Sequence, residues 1–389
     1  MKNYSVSRSA RTVLACCLLL SAMLLQGCWD EVNLQDQTYV SSLGVELKDG
    51  KFQLYAQMIK FAGVAKVEGS SSPVGNQVWI GKGTGSTVLL AINHLKKGAQ
   101  SEINLEHLKS IVVHESAMSR LTDIMDGLNR LRASRYTSLV FGTKSDIVEI
   151  FTAEALFEQS PLNTMLYLPK VQEIQRSYIG PFPMKQAVQM LKEPGMTTPV
   201  PVIGMNGSDW LKGKKALQVQ EIDGIFVLKK SKYIGFLTEK EASGLRWLNP
   251  DFSLFMVEAK GTRGKATIAM RGASHKLRVT HGQGSADPVF KLSVQLNGSV
   301  VEQDQPINKE EIVNSIAASI KEDLERTYAT GREKGMDLYQ LEHHMYRYHN
   351  AEWKKKMAGG DWVPRLDQLK IDVKFKLIHS GKFDLGEGT

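Results

Sequence analysis

Cysteine is nearly absent from this 389-residue chain, which contains only Cys16, Cys17 and Cys28. The first two lie in an apolar segment, and no cysteine follows Cys28. If the segment before Cys28 is removed, no pair of cysteines remains to form a disulfide within the chain. Zinc sites built on several cysteine thiolates are excluded for the same reason. The fold must therefore be stabilised by a buried core rather than by covalent cross-links.

The chain also lacks a hydrophobic run long enough to cross a membrane. Its N-terminal apolar stretch, residues 13–25, is interrupted only by Ser21. As a helix it would span about 20 Å, whereas the hydrocarbon core of a bilayer is about 30 Å thick. Lys2, Arg8 and Arg11 precede it, and no acidic residue does. A basic start followed by a short apolar core is typical of a secretory signal.

The end of this segment differs from that of an ordinary signal. It reads Leu25-Gln26-Gly27-Cys28 and resembles the lipobox of bacterial lipoproteins, whose cysteine accepts a diacylglycerol through a thioether. We therefore predict a signal peptide at residues 1–27, cleavage between Gly27 and Cys28, and acylation of Cys28 on its sulfur and its new amino group. The alternative is an ordinary signal followed by an ordinary core cysteine. Two acyl chains anchor a protein stably, whereas one chain binds only marginally.

The surplus of positive charge is small. The chain has 49 lysines and arginines, 41 acidic residues and a formal net charge of +8. Removal of the predicted signal leaves 46 basic residues against 41 acidic ones, a net charge of +5. This is weak evidence for binding nucleic acid, and we predict no nucleic-acid partner. It is compatible with a position beside an anionic membrane surface.

Strand and helix patterns alternate through residues 28–200, which predicts an N-terminal α/β domain with at least some parallel strand pairing. Two β-rich runs flank Asp49-Gly50, a pair typical of a hairpin turn. Further strands are expected at residues 108–115 and 136–143, with an amphipathic helix at residues 117–131 between them.

Residues 201–389 predict a C-terminal α+β region of one or two domains, with an edge near residues 250–260 in the second case. Asn308 is expected to cap a long helix. Its apolar stripe comprises Ile312, Ile316, Ile320 and Leu324. A further helix is expected at residues 337–348 and a closing strand at residues 369–378. The predicted fold class is thus α+β or mixed α/β, with several consecutive domains containing mixed sheets and packed helices.

A glycine-rich stretch resembles a phosphate loop only superficially. Residues 81–88 read GKGTGSTV, and glycine-rich turns before helices often hold phosphates. The Walker spacing is not met, because five residues separate Gly75 from Gly81 and Gly83 stands where Ser or Thr is required. We predict a flexible strand-to-helix turn.

Three histidines lie close together in the segment EHHMYRYH, which also contains Glu342. Helical residues share a face when they are three or four positions apart, whereas His344 and His349 are five apart and His343 and His349 six. We predict a solvated polar face and no metal site. The motifs G-x-S-x-G and S-x-x-K are absent. No catalytic residue, cofactor or enzymatic activity is therefore predicted.

Three segments resemble the Ger(x)C spore-germination lipoproteins. Residues 27–44 match their mature N-terminus, which reads Gly-Cys-Trp-Asp, then a Glu, then an apolar run ending in Leu-Gly. Residues 223–248 match a segment with spaced glycines, a Lys and a distal Trp, and residues 337–362 match an Asp-led helix with an Arg and two tryptophans. The positions that carry this resemblance after Cys28 include Trp29, Asp30, Leu43, Gly44, Gly224, Lys229, Gly235, Trp247, Asp337, Arg347, Trp353 and Trp362. The chain departs from the family pattern at Gln340, Glu342 and Asn350, where glycines and a proline are usual.

The resemblance implies a non-catalytic C subunit of a nutrient germinant receptor with a mixed α/β architecture. Such a subunit is held by its lipid at the outer face of the spore inner membrane. Its partners are an A subunit and a polytopic B subunit, both membrane proteins. The alternative hypothesis is a solute-binding lipoprotein of a transporter, which also begins with an acylated cysteine but usually has two similar lobes around a cleft.

Overall fold

A computed structural model describes most of the chain. The described residues are 12, 13, 15, 37–59, 78–131, 136–281, 287–360 and 362–379. Among them, no helix combines the length and the hydrophobicity needed to span a membrane.

A ten-stranded mixed sheet forms the first layer of the fold. Its strands are β1 (Gln37–Lys48), β2 (Lys51–Ile59), β3 (Val78–Gly85), β4 (Glu102–Asn104), β5 (Ser110–His114), β6 (Leu139–Thr143), β7 (Phe182–Pro183), β8 (Thr197–Asn206), β11 (Val219–Lys229) and β12 (Lys232–Thr238). The main order is β12-β11-β8-β6-β5-β1-β2-β3, with β4 beside β1 and β7 beside β6. The strands β1, β5, β6 and β8 pair in parallel, and the hairpins at both ends are antiparallel. The predicted parallel pairing is confirmed.

Short helices cover the faces of this sheet. They are α1 (Val88–Lys96), α2 (Glu115–Met118), α3 (Leu121–Asn129), α4 (Ile147–Thr152), α5 (Pro169–Gln175) and α6 (Met184–Lys192), and a small hairpin consists of β9 (Leu211–Lys212) and β10 (Lys215–Ala216). The predicted helix at residues 117–131 is observed as two helices, α2 and α3. The predicted hairpin is confirmed, because Asp49 and Gly50 adopt φ values of 50° and 72°, which suit a two-residue type I′ turn.

The predicted strand-to-helix turn is only the end of the glycine-rich stretch, because residues 81–85 belong to β3. It runs from the end of β3 into α1, where the Thr87 hydroxyl accepts a hydrogen bond from the N–H of Leu90 at 3.2 Å. A Cβ atom added at Gly83 or Gly85 would collide with the backbone of α1 near Ala91. The glycines therefore allow the helix to lie directly against the strand.

A second, four-stranded sheet follows. It consists of β13 (Phe255–Lys260), β14 (Lys265–His281), β15 (Pro288–Gln303) and β16 (Leu369–His379), in that order. The first three strands are antiparallel, and β16 is parallel to β15. The fold class is confirmed as a mixture of α/β and α+β layers. The predicted division at residue 200 stays a prediction; β8 spans this position, and β11 and β12 continue the first sheet beyond it.

Helices from the C-terminal half pack on the second sheet. They are α7 (Lys309–Glu333), α8 (Leu341–Tyr348) and α9 (Asn350–Met357), and short 3₁₀ turns occupy Leu156–Glu158, Pro161–Asn163, Ser243–Leu248 and Leu366–Gln368. The Asn308 side chain caps α7 by accepting a hydrogen bond from the N–H of Glu310 at 2.8 Å. The predicted stripe on α7 is confirmed, because its four residues are fully buried.

The strand β11 lies between two hydrophobic cores. Phe226 and Leu228 belong to the core under the large sheet, whereas Ile225 and Val227 belong to the core shared with α7 and the second sheet. Successive side chains of a strand point to opposite faces, so one strand supplies both cores. The chain from β11 onward thus joins the two sheets into one packed body.

A buried charge cluster as the candidate functional site

The residues singled out from the sequence have different positions in the fold. Gly27, Cys28, Trp29 and Asp30 lie outside the described residues, and the predictions of cleavage and acylation stay predictions. Leu43 and Gly44 lie in β1 at the centre of the large sheet, where Leu43 is fully buried. A Cβ atom at Gly44 would collide with the side chain of Ile147 in α4. These two positions are therefore explained by close packing.

Gly224 and Gly235 belong to the two strands of the β11–β12 hairpin. A Cβ atom at Gly224 would collide with the carbonyl oxygen of Leu237, which is backbone and has little freedom to move. At Gly235 the nearest atom would be the flexible Cε of Met336, at 3.3 Å. Gly224 therefore sets the path of the hairpin, whereas Gly235 leaves room for the segment that precedes α8.

The strand β11 ends in a buried charged side chain. Lys229 is only 5% exposed, and its Nζ lies 2.7 Å from Oε2 of Glu342, which has no exposed surface. The Nζ also donates a hydrogen bond of 3.4 Å to the carbonyl oxygen of Trp362. Asp337, likewise fully buried, accepts a hydrogen bond from the N–H of Glu342 at 2.6 Å. Lys229, Asp337 and Glu342 form what we call the charge cluster.

The charge cluster is incompletely satisfied. Oδ1 of Asp337 and Oε1 of Glu342 have no hydrogen-bond partner among the described residues. Burying a carboxylate without hydrogen-bond partners costs free energy. Within the charge cluster, one positive charge, that of Lys229, faces two acidic groups. The cluster is neutral when Asp337 is protonated and carries a charge of −1 when both carboxyls are ionised.

Burial is the main cause of the shifted titration of Asp337. Burial raises its pKa to about 6, although the backbone N–H groups of Glu342 and Leu341 and the charge of Lys229 act in the opposite direction. The negative charge of Glu342 adds to the increase. Removal from water therefore outweighs the favourable contacts of the carboxylate.

The stability of the fold should consequently depend on pH through Asp337. Its pKa is about 6 in the folded chain and about 3.9 in an unfolded one. Between these values the folded chain binds more protons, so the contribution of this group to the free energy of unfolding falls as pH rises. We expect the stability of wild type relative to Asp337→Asn to fall by about 2 kcal/mol from pH 4 to pH 7. Urea unfolding of both proteins across this range measures it, and a flat difference would contradict the assignment.

Polar contacts around the charge cluster attach the first half of α8 to the large sheet. The Gln340 side chain accepts a hydrogen bond from the N–H of Thr197 at 2.9 Å and donates one to the carbonyl oxygen of Thr197 at 2.6 Å. Nδ1 of His343 lies 3.0 Å from the carbonyl oxygen of Pro194, and Arg347 contacts Glu193 at 3.2 Å. Together with Lys229 and its partners, these residues join β11, β8 and the segment just before β8 to α8.

Two of the positions that depart from the family pattern provide these contacts. Gln340 adopts a left-handed backbone with φ of 58°, a conformation that favours glycine. Its side chain compensates through the two bonds to Thr197. Glu342 supplies the carboxylate that pairs with Lys229. At both positions, side-chain contacts stand where the resemblance in sequence implies glycine.

The tryptophans of the family pattern lie along the second core. Trp247 is buried beneath α7, and its indole N–H donates a hydrogen bond to Asp323 at 3.3 Å. Trp362 packs near Phe290, and Trp353 near Tyr346, with ring centroids 6.1 and 5.0 Å apart. The structure thus brings together Lys229, Asp337 and Trp362, and places Trp247 and Trp353 elsewhere in the same core.

The prediction of a solvated face was wrong for Glu342. The helix α8 begins at Leu341, and its buried residues are Leu341, Glu342 and Met345. Glu342 precedes Met345 by three positions and therefore shares its inward face. This spacing was the signal available in the sequence, but it did not identify Lys229 as the partner. The predicted helix at residues 337–348 was also too long at its start, because α8 follows its N-cap residue Gln340 and Asp337 contacts it only through its side chain.

A cleft of about 1040 Å³ lies beside α8. Its walls include His343, His344 and His349 together with residues 275–280 of β14. The pKa of His344 is lowered, first by burial and then by the other two imidazoles. Among the described residues, no group of three or more His, Cys, Asp or Glu side chains is arranged to hold a metal ion.

The comparisons with known families identify the class of protein. Residues 30–205 match the family model described as "Spore germination protein N-terminal domain". Residues 223–381 match the model described as "Spore germination B3/ GerAC like, C-terminal". Both halves are therefore those of a spore germination protein. The chain belongs to the Ger(x)C family and has the role of a germinant receptor C subunit in spore germination.

Individual relatives agree with this assignment. The chain is 22% identical to spore germination protein KC of Bacillus subtilis (strain 168), over 94% of each chain. It is 24% identical to spore germination protein A3 of the same organism, over 68% of this chain and 70% of that protein. Among solved structures, the crystal structure of the GerBC protein has a similar fold, with a TM-score of 0.53 and 18% identity. The match covers 86% of this chain and 96% of that one. Membership of this receptor family implies association with a membrane.

Proposed function

We propose that this chain is a lipid-anchored, non-catalytic subunit that assembles with the membrane-embedded A and B subunits of a germinant receptor. It would act at the outer face of the spore inner membrane. The observation that carries the proposal is the lipobox ending at Cys28, directly followed by a chain that matches the germination family from residue 30 onward.

The position of the first strand supports a short tether. The strand β1 begins at Gln37, and the nine residues from Cys28 to this point reach at most about 30 Å when fully extended. The large sheet would therefore remain within this distance of the lipid. Such confinement raises the effective concentration of the subunit toward partners in the same membrane, so that modest interfaces become occupied.

The placement of the family residues supports a non-catalytic role. The charge cluster attaches α8 to β11 in the interior of the fold, and Gly44 and Gly224 permit close packing of backbone and side chains. Each of these residues stabilises the fold through interior contacts. The proposed function accordingly depends on the surface of the folded chain, which contacts the partner subunits.

Co-purification tests the proposal. The C-terminus would be tagged, spore inner membranes solubilised in mild detergent, and the captured proteins identified by mass spectrometry, with an untagged strain as control. We expect a polytopic membrane protein and a second membrane subunit of the same receptor. Recovery of a transport permease with its ATPase would instead support a solute-binding lipoprotein and contradict the proposal.

A further inference from the structure

Besides its outer strands β13 and β16, the second sheet has a free edge along part of an inner strand. The strand β14 pairs with β13 only as far as Met270, which lies opposite Phe255. From Gly272 to His281 it pairs with β15 alone, in a register that is unbroken over this length. Among the described residues, no other strand and no backbone hydrogen bond from elsewhere reaches the opposite edge. Alternate residues of this stretch thus present unpaired N–H and C=O groups at the free edge.

The cleft beside α8 runs along this edge. Its wall contains six consecutive residues of β14, from 275 to 280. Consecutive residues of a strand point to opposite faces of the sheet, so a cleft that meets all six must border the edge. The other wall is formed by α8, by the 3₁₀ turn at Ser243–Leu248 and by Ile179. This space can accommodate another strand.

The two faces of the edge have different chemistry. Leu277 and Val279 pack partly against the second core, and Leu248 lines the cleft on the same side. Lys276 and Arg278 are exposed on the other face, and neither forms an ion pair within the described ranges. No aspartate or glutamate of the described residues lines the cleft. Arg347 also lines the cleft, but it is already paired with Glu193.

We propose that an extended segment of a protein partner, with alternating acidic and apolar residues, adds to β14 as a further strand. Its backbone would pair with residues 272–280, as in other cases of strand addition to a sheet edge. Its apolar side chains would enter the cleft beside Leu277 and Val279. Its acidic side chains would lie opposite Lys276 and Arg278, where cross-strand pairs of opposite charge are favourable.

The charges favour such a segment over a second copy of this chain. Antiparallel pairing of two β14 edges would bring Lys276 and Arg278 of both copies onto neighbouring strands, and like charges in these positions are destabilising. Positive side chains on an edge strand discourage this kind of self-association. An acidic partner turns the same charges into attractive contacts. The proposal is independent of the lipid anchor and of the A and B subunits.

Peptide binding tests the proposal directly. The probe is a fluorescein-labelled peptide of seven residues with alternating Glu and Val, titrated with the full chain in mild detergent and followed by fluorescence anisotropy. A peptide of the same composition with all Glu before all Val removes the alternation, and a peptide with Lys for Glu reverses the charge. We expect only the alternating acidic peptide to bind, and it should protect from hydrogen exchange those backbone amides of residues 272–280 that face the free edge.

A matched pair of double variants locates the site. Lys276→Glu/Arg278→Glu should weaken binding about ten-fold or more. Lys214→Glu/Lys215→Glu changes the net charge equally on exposed residues at the β9–β10 hairpin, which is not part of the second sheet, and should weaken binding far less. Equal effects of both variants, equal binding of the non-alternating peptide, or absence of binding would overturn the proposal.

Discussion

Replacement of Lys229 by Met is expected to lower the free energy of unfolding by about 3–5 kcal/mol. The substitution removes the positive charge of the charge cluster and leaves Glu342, fully buried, beside Asp337. The loss of one partner of a buried ion pair is costly because the remaining charge keeps its desolvation penalty without its compensation. Urea unfolding of the purified chain at pH 7 measures the effect.

Lys232→Met is the matched control. Lys232 lies opposite Lys229 in the β11–β12 hairpin, but its side chain is exposed. Its replacement should change the stability by no more than about 0.5 kcal/mol. The double variant Lys229→Met/Glu342→Leu should recover much of the loss, because apolar residues often replace a buried ion pair without penalty. If Lys229→Met were as mild as Lys232→Met, the pair would not contribute to stability.

Replacement of Cys28 by Ala is expected to release the protein from the membrane and abolish the germination response that depends on it. Alanine has no thiol to accept the diacylglycerol, and stable anchoring of a chain requires two acyl chains or an equivalent second signal. None of the described helices is able to replace the lipid by spanning the bilayer. Immunoblots of membrane and soluble fractions, together with the fall in optical density of spores supplied with nutrient, measure the two effects.

Cys17→Ala is the control for this experiment. Cys17 lies in the predicted signal peptide, so its replacement should leave both anchoring and germination intact. The proposed role of the lipid would be contradicted if Cys28→Ala spores germinated normally although the variant protein was shown to be soluble.

Elements with a strong local pattern were predictable from the sequence. The turn at Asp49-Gly50 needs two residues that accept positive φ, and the stripe of α7 repeats with the period of a helix. Both signals depend on residues close together in the chain. The start of α8 was less predictable, because Asp337 contacts the helix through its side chain while its backbone remains outside the helix.

The charge cluster was only partly predictable. Resemblance to the family marked Lys229 and Asp337, but their proximity is determined by packing of the large sheet against the C-terminal helices. Glu342 was assigned to a polar surface because it stands among histidines and tyrosines. Its burial depends on a partner 113 positions earlier in the chain, and no local pattern encodes such a contact. The free edge of β14 was likewise not predictable, because it depends on how far β13 pairs along β14.

The parallel pairing of β16 with β15 has a consequence for the order of folding. Phe290 pairs with Leu369, 79 positions later, and the helices α7, α8 and α9 lie between them. Contacts between distant positions form slowly, since a long loop must close before they contribute. The second sheet therefore remains one strand short until residues 369–379 have been synthesised. During this interval the long edge of β15 is open to incorrect pairing, which favours aggregation until β16 occupies it.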